Sequence, residues 1–354
     1  MSRFFSAKFN TLTPYTPGEQ PRDQQYIKLN TNESPFPPSP KAQARAAEEL
    51  GKLQLYSDPT CASLVTQAAQ ALGIDEENIV FSNGSDEVLN FAFMAFCDEN
   101  CPAVFPDITY GFYKVFAKLN GIPYREIPLK EDFSLDISDY FGQNATIFIA
   151  NPNAPTGLYL TLEQIEAILK ANPDNVVVID EAYIDFGGDS AIPLTAKYDN
   201  LLVVQTFSKS RSMAGGRLGF AVGSQALIRD LNTMRFSTNP YNINRMTMAA
   251  GVGALEDDAY FRVNCQTIMD NRAWTTAELS KLGFDTLHSL TNFVFTKSNN
   301  ISGRTLYQKL KERGILVRHF DTPRLTDYIR VTIGSAQQMA AFITATKELL
   351  EEIK

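Results

Sequence analysis

Histidine is nearly missing: His288 and His319 are the only two in 354 residues. A zinc site of the HExxH type is therefore absent, and no metal is expected. A Ser-His-Asp triad would have to use one of these two, and neither stands near a nucleophile elbow. Proton traffic in an active site is expected to run through lysine, tyrosine or carboxylates. Cysteine is sparse too, at Cys61, Cys97, Cys101 and Cys265. The Cys97-x3-Cys101 pair has no second ligand pair after it, so these read as thiols of a reducing compartment. No segment approaches the roughly 18 apolar residues of a membrane span. The opening, MSRFFSAKFNTLTPY, has no signal-peptide pattern, so a cytoplasmic location and no membrane partner are expected. Basic residues are outnumbered, 32 against 40 acidic ones, for a net charge of −8. That excludes nucleic acid as the main partner but leaves room for a small anion in a local basic pocket. Two glycine signatures are also lacking. Without GxxxxGK[ST] a nucleotide hydrolase loses its phosphate loop, and without GxGxxG after the first strand a nicotinamide oxidoreductase loses its fingerprint.

What is present suits a large α/β protein, with 44% hydrophobic and 20% charged residues. Residues 1–40, rich in Pro, Thr and Asn, read as an irregular arm lying over a domain. Helical periodicity follows from 41 to 72, split by a turn at LYSDP. Apolar runs then alternate with helical patterns: NIVFS, PAVFP, YREIPL, ATIFIANP, NVVVIDEAY, LLVVQTFSK and RLGFAVG. Continuous apolar strands between helices imply a mostly parallel seven-stranded sheet with helices on both faces. The last two strands are too close for a helical crossover, so one of them is expected to run antiparallel. From about 240 the pattern changes, and 241–354 reads as a smaller C-terminal α/β domain beside a large domain at 41–240.

Ligands of such sheets bind at the carboxyl ends of the strands. There stand Asn83-Gly84-Ser85-Asp86, NPNAPTG from Asn151 to Gly157, Asp180-Glu181-Ala182-Tyr183, and Ser208-Lys209. Gly84 and Ser85 open a helix, a place that favours an anion, although Ser85 or Asp86 alone would serve as an ordinary cap. Asp180 ends a buried strand and needs a cation opposite it. Lys209, taken alone, is a solvated charge. Together these residues answer the four needs of pyridoxal 5′-phosphate. Lys209 offers an amine for the aldehyde and Asp180 a carboxylate for the ring nitrogen. Tyr183 offers a donor for the 3′ oxygen, and Ser85, Ser208 and Arg217 a cradle for the phosphate.

NPNAPTG, DEAYIDF, FSKSRSMAGGRLGF and YIRVTIG, in this order, resemble the fold-type-I, class I/II aminotransferases. The resemblance runs from about residue 10 to the C-terminus. LTPYTPGEQP, LNTNESPFPPSP and GILVRHF look like the histidinol-phosphate aminotransferase subgroup. The resemblance implies a pyridoxal-phosphate enzyme in which Lys209 binds the cofactor covalently, Asp180 meets the ring nitrogen and Tyr183 the 3′ oxygen. It implies Gly84, Ser85, Asp86, Thr206, Ser208 and Arg217 around the phosphate, and Tyr110 stacked on the ring. It implies a homodimer in which Tyr56 reaches the cofactor phosphate of the partner subunit. Arg330 would read the substrate's anionic group, with Arg318 and Tyr15 near the substrate phosphate. The implied reaction is transamination of histidinol phosphate with a 2-oxo acid, in histidine biosynthesis. Aromatic amino acids as donors and decarboxylation of threonine phosphate are the competing chemistries on this scaffold. A cofactor-binding regulatory domain is a further alternative, which lacks an attached DNA-binding module here. Two positions depart from the family pattern. Ala154 replaces the asparagine of NNPTG, leaving Asn153 as the candidate for its bond to the 3′ oxygen, and Gly216 replaces a leucine before Arg217.

Overall fold

The central strands of the main sheet are buried along their length on both sides, which only a layer of helices on each face allows, while the edge strand Tyr124–Ile127 is partly exposed. In this computed structural model, which describes residues 2–10 and 12–353, the strands run in chain order as follows. They are β1 (Ile27–Lys28), β2 (Ile79–Ser82), β3 (Ala103–Pro106), β4 (Tyr124–Ile127), β5 (Thr146–Ala150), β6 (Val177–Asp180) and β7 (Leu201–Thr206). Then come β8 (Gly219–Gly223), β9 (Phe284–Thr286), β10 (Phe293–Ser298), β11 (Ile315–Leu316), β12 (Arg318–His319) and β13 (Tyr328–Thr332). The large sheet has the order β2-β8-β7-β6-β5-β3-β4. The expected reversal falls on β8, antiparallel to both neighbours, while β3 to β7 pair in parallel.

Alternation along each strand builds two cores. Ile147, Ile149, Val177, Ile179, Leu201 and Val203 face one layer. Phe148, Val178, Leu202 and Val204 face the other. Side chains one apart in a strand point to opposite faces, so a single apolar run serves both layers. The helix Leu162–Ala171 is delimited by a capping box. The Thr161 hydroxyl accepts from the Gln164 N–H, and the Gln164 carboxamide accepts from the Thr161 N–H.

The second sheet is antiparallel, in the order β12-β13-β10-β9. Three features differ from the sequence expectation. The arm is not wholly irregular, because β1 pairs in parallel with β11 in a two-stranded sheet of their own, and Leu29 and Asn32 bond to Thr332 of the second sheet. ILVRHF is not one strand: β11 pairs with β1, and β12 with β13. The helix Arg245–Glu256, beyond the expected boundary at 240, packs Met248, Val252 and Leu255 into a core of the first sheet. The change of core falls between it and the helix Asp258–Lys281, whose Cys265, Ile268 and Leu279 join the second. The helix Gln225–Thr238 covers the large sheet with Leu227, Ile228 and Leu231.

Candidate active site

The reversal at β8 creates the site. β7 ends at Thr206 opposite the start of β8 at Gly219, so the loop 207–218 lies wholly at the carboxyl edge of the sheet. Lys209 and Arg217 therefore sit at the same edge as Asp180, which ends β6, and the helix that starts at Ser85 after β2. That helix start lies close against β8. Gly84 has φ +86°, and a Cβ on it would fall about 2.5 Å from Nη2 of Arg217. A Cβ on Gly219 would collide with the backbone N of Ser85. The two glycines bring exposed helix N–H groups and a guanidinium onto one point, an arrangement that suits an anion.

Ser85, Asp86, Tyr110, Asp180, Tyr183, Thr206, Ser208, Lys209 and Arg217 all line one cleft, a concave site with convergent polar groups that suits a small molecule. The Lys209 Nζ lies 5.9 Å from the Tyr183 ring centroid. Asp180 is buried and accepts from the Tyr113 hydroxyl at 2.9 Å and the Ala182 N–H at 3.3 Å. Burial pushes its carboxyl up to about 6. Tyr113 was missed in the sequence; it lies in the first turn of the helix Phe112–Asn120 and its ring meets Tyr110 edge-on at 5.7 Å.

At the anion end, Arg217 donates to Asp86 at 2.9 Å and to the Ser208 hydroxyl at 3.4 Å. The other Asp86 oxygen accepts from the Tyr110 hydroxyl at 2.6 Å. The Thr206 hydroxyl donates to the Ser208 hydroxyl at 3.0 Å and accepts from the Ser208 N–H at 3.1 Å. Arg217 itself has φ +53°. The preceding Gly216 is hydrogen-bonded through its N–H to Met213 and through its carbonyl to Thr247. A Cβ on Gly216 would meet the Met213 side chain, its flexible Cε at 3.3 Å and its Cβ at an ordinary 3.6 Å, so a small displacement of the Met213 end would admit a side chain.

A second opening joins the first at Tyr183 and Lys209 and is lined by Tyr15, Arg318 and Arg330. Arg330 is flanked by the rings of Phe293 and Phe320, 5.2 and 5.7 Å from its guanidinium carbon. Among the described residues it donates only to the Asn30 carbonyl, at 3.3 Å, and its buried Nε has no partner. Burial draws its guanidinium below the usual range. A cation with no carboxylate beside it, aimed into a cleft, is suited to an anionic ligand. Tyr15 stacks on Phe112 at 4.3 Å, and Arg318 lies over Phe320.

Two candidates are not brought to the cleft. The Asn153 carboxamide donates to the Ile108 carbonyl and the Thr156 hydroxyl, both at 3.0 Å, and accepts from Thr109 at 2.8 Å. Both of its N–H groups are thus used elsewhere, and Ala154 lines the cleft in its stead. Tyr56 is 79% exposed and stacks on Tyr241 at 4.5 Å, away from the chain's own cleft. Sequence reasoning also missed Asn32, Thr31 and Glu33. Asn32 contacts Tyr183, while Thr31 and Glu33 line the cleft from the arm.

The sequence profile described as "Aminotransferase class I and II" matches residues 24–345. The chain belongs to the class I and II aminotransferase family. Within this family, the chain is 49% identical to a histidinol-phosphate aminotransferase of Brachyspira hyodysenteriae, over 99% of this chain and 100% of that one. It is 45% identical to a histidinol-phosphate aminotransferase of Clostridium beijerinckii, over 99% of this chain and 98% of that one. Among solved structures, a putative histidinol-phosphate aminotransferase of Erwinia carotovora atroseptica superposes with a TM-score of 0.85 at 26% identity, covering 92% of this chain and 96% of that one. The histidinol-phosphate aminotransferase of Sinorhizobium meliloti, solved in complex with pyridoxal-5′-phosphate, superposes with a TM-score of 0.86 at 24% identity. It covers 94% of this chain and 93% of that one. At this identity the second likeness concerns the fold alone. Both the seven-stranded mixed sheet and its carboxyl-edge cleft suit an aminotransferase.

Proposed function

We propose that this aminotransferase is pyridoxal-phosphate dependent, takes histidinol phosphate as amino donor and takes a 2-oxo acid, 2-oxoglutarate, as acceptor. The observation that carries the reading is the meeting of the Lys209 amine, the Asp180 carboxylate, the Tyr183 phenol and the Ser208–Arg217 cradle in one cleft. When bound, the cofactor supplies an aldehyde that captures amines and a ring that accepts electron density. Lys209 would hold the cofactor through its aldehyde and, with its amine free, would serve as the general acid and base for the proton at the substrate's α carbon. Asp180, costly to ionise while buried without a cation, is suited to a protonated ring nitrogen. Tyr183 would donate to the 3′ oxygen, and Tyr110 would lie against the ring. Ser85, Thr206, Ser208 and Arg217 would hold the phosphate, with Gly84 keeping the approach open and Asp86 orienting Arg217.

Arg330 binds the phosphate of one substrate and the carboxylate of the other, since a guanidinium fork suits both anions. Tyr15 and Arg318 border the same opening. The choice of donor is supported by the full-length likeness to the two relatives. We further infer a cytoplasmic homodimer in which Tyr56 reaches the partner subunit's cofactor. Its exposed run with Leu50, Leu53 and Leu55 supports a covered face.

A half-reaction screen tests the reading. The cofactor-loaded chain is mixed in turn with histidinol phosphate, phenylalanine and threonine phosphate, and the loss of the visible absorbance of the bound cofactor is followed. The fastest and most complete loss is expected with histidinol phosphate. No response to it, with a full response to phenylalanine, would move the donor to aromatic amino acids.

A further inference from the structure

The phenol of Tyr183 is engaged by a residue of the N-terminal arm, Asn32 in LNTNESPFPPSP. The Asn32 Nδ2 donates to the Tyr183 hydroxyl oxygen at 2.9 Å. Resting on the pyridoxal-phosphate reading above, we propose that Asn32 is a positioning residue that aims the Tyr183 proton at the cofactor's 3′ oxygen and so offsets the alanine at position 154.

The direction of the Asn32–Tyr183 bond follows from the network behind it. The Thr332 hydroxyl accepts from the Asn32 backbone N–H at 2.9 Å and donates to the Asn32 Oδ1 at 3.1 Å. Its single proton serves Oδ1, so the amide presents its N–H₂ to the tyrosine. The Asn32 carbonyl accepts from Asn292 at 2.9 Å, and the residue is 2% exposed at φ +56°. Asparagine is one of the few residues besides glycine that tolerate that left-handed backbone. Thr332 pairs with Phe293 across β13 and β10, and the Phe293 ring meets Tyr183 edge-on at 5.2 Å. The second sheet thus holds both the ring and the amide.

A phenol has one proton to donate. With the amide N–H facing its oxygen, that proton turns from Asn32 toward the cleft it shares with Lys209 and Asp180. A bond received at the oxygen also polarises the O–H and strengthens it as a donor. This matters because the cleft has no second donor from NPNAPTG. Ala154 offers a methyl group, and the Asn153 amide is spent on Ile108 and Thr156.

The test reads the bound cofactor's absorbance against pH in Asn32→Leu, which removes the donor without adding charge. Glu33, Asp86, Asp180, Lys209 and Arg217, the charged groups of the cleft, stay in place. Weaker donation to the 3′ oxygen disfavours its ionised form, so the titration midpoint is expected to rise by about half to one pH unit. In a Tyr183→Phe background the same change is expected to add nothing. Adding Ala154→Asn to Asn32→Leu restores a direct donor and is expected to return more than half of the shift. A midpoint unchanged in Asn32→Leu, or a shift of the same size without the Tyr183 hydroxyl, overturns the proposal. If Asn32→Leu does not fold, Thr332→Val carries the same criteria, because it frees the amide while keeping side-chain volume. A native chain that acquires no cofactor absorbance would instead refute the pyridoxal-phosphate reading, before any variant is compared.

Discussion

Arg217 Nη2 and Asp86 Oδ2 lie 2.9 Å apart where the start of β8 meets the start of the helix Ser85–Phe96. The pair joins two segments 131 residues apart in the chain. It aims a guanidinium at the helix N–H groups, the place assigned to the cofactor phosphate.

Arg217→Ala is therefore expected to weaken binding of pyridoxal phosphate by about 100-fold, the loss of one or two charge-assisted hydrogen bonds. Arg217→Lys is expected to recover only part of this, because an ammonium lacks the planar fork. Equilibrium titration of the stripped chain, followed by absorbance, measures both. Native affinity in Arg217→Ala would remove Arg217 from the phosphate site.

Asp180 yields a prediction in pH. Burial raises its carboxyl to about 6 from an ordinary 3.8. For an acid raised in the fold, the stabilising contribution is complete below the unfolded value and is lost as pH rises through the folded one. In the chain stripped of cofactor, ionising Asp180 costs about 3 kcal/mol by pH 8. Asp180→Asn carries no charge to ionise. Its stripped form is expected to melt a few degrees above the native chain at pH 8, with the gap shrinking as pH falls toward 5. Turnover is expected to fall by orders of magnitude at the same time. A stripped Asp180→Asn chain that melts below the native one at pH 8 would contradict the burial argument.

Arg330 combines cost and function in one side chain. Its Nε is buried without a partner among the described residues. Arg330→Met keeps much of the packing between Phe293 and Phe320 and removes the unpaired charge. The melting temperature is expected to hold or rise, while KM for the anionic substrates rises about 100-fold, the scale of a charged hydrogen-bond pair lost. Steady-state kinetics beside a thermal melt separates the two effects. An unchanged KM would remove Arg330 from substrate recognition.

The cleft was legible in the sequence where chemistry sits in continuous motifs. Asp180 and Tyr183 in DEAY, Ser208 and Lys209 in FSKS, and Arg217 before GF each follow a strand end, and the structure brings them together. The reversal of β8 was legible because the short stretch between its run and that of β7 cannot cross a sheet by a helix. Contacts that depend on tertiary closure were not. Asn32 meets Tyr183 across 151 residues, and its backbone is held by Thr332 and Asn292 on the other side of the chain. The spacing of residues 27–32 carries no sign of that. ILVRHF reads as one strand because its apolar pattern is continuous, yet Val317 separates two pairings with different partners. Asn153 seemed a substitute for the missing asparagine by adjacency. A one-residue shift in the tight NPNAPTG turn aims it instead at Ile108 and Thr156.

The central claim is that Lys209 is the cofactor's covalent anchor. The most direct measurement is to load the purified chain with pyridoxal phosphate, reduce the linkage with borohydride, digest it and locate the added mass by peptide mass spectrometry. The account predicts one modified peptide, carrying the phosphopyridoxyl group on Lys209, and none in Lys209→Ala. The group on another lysine, or spread over several surface lysines with Lys209 unmodified, would contradict it.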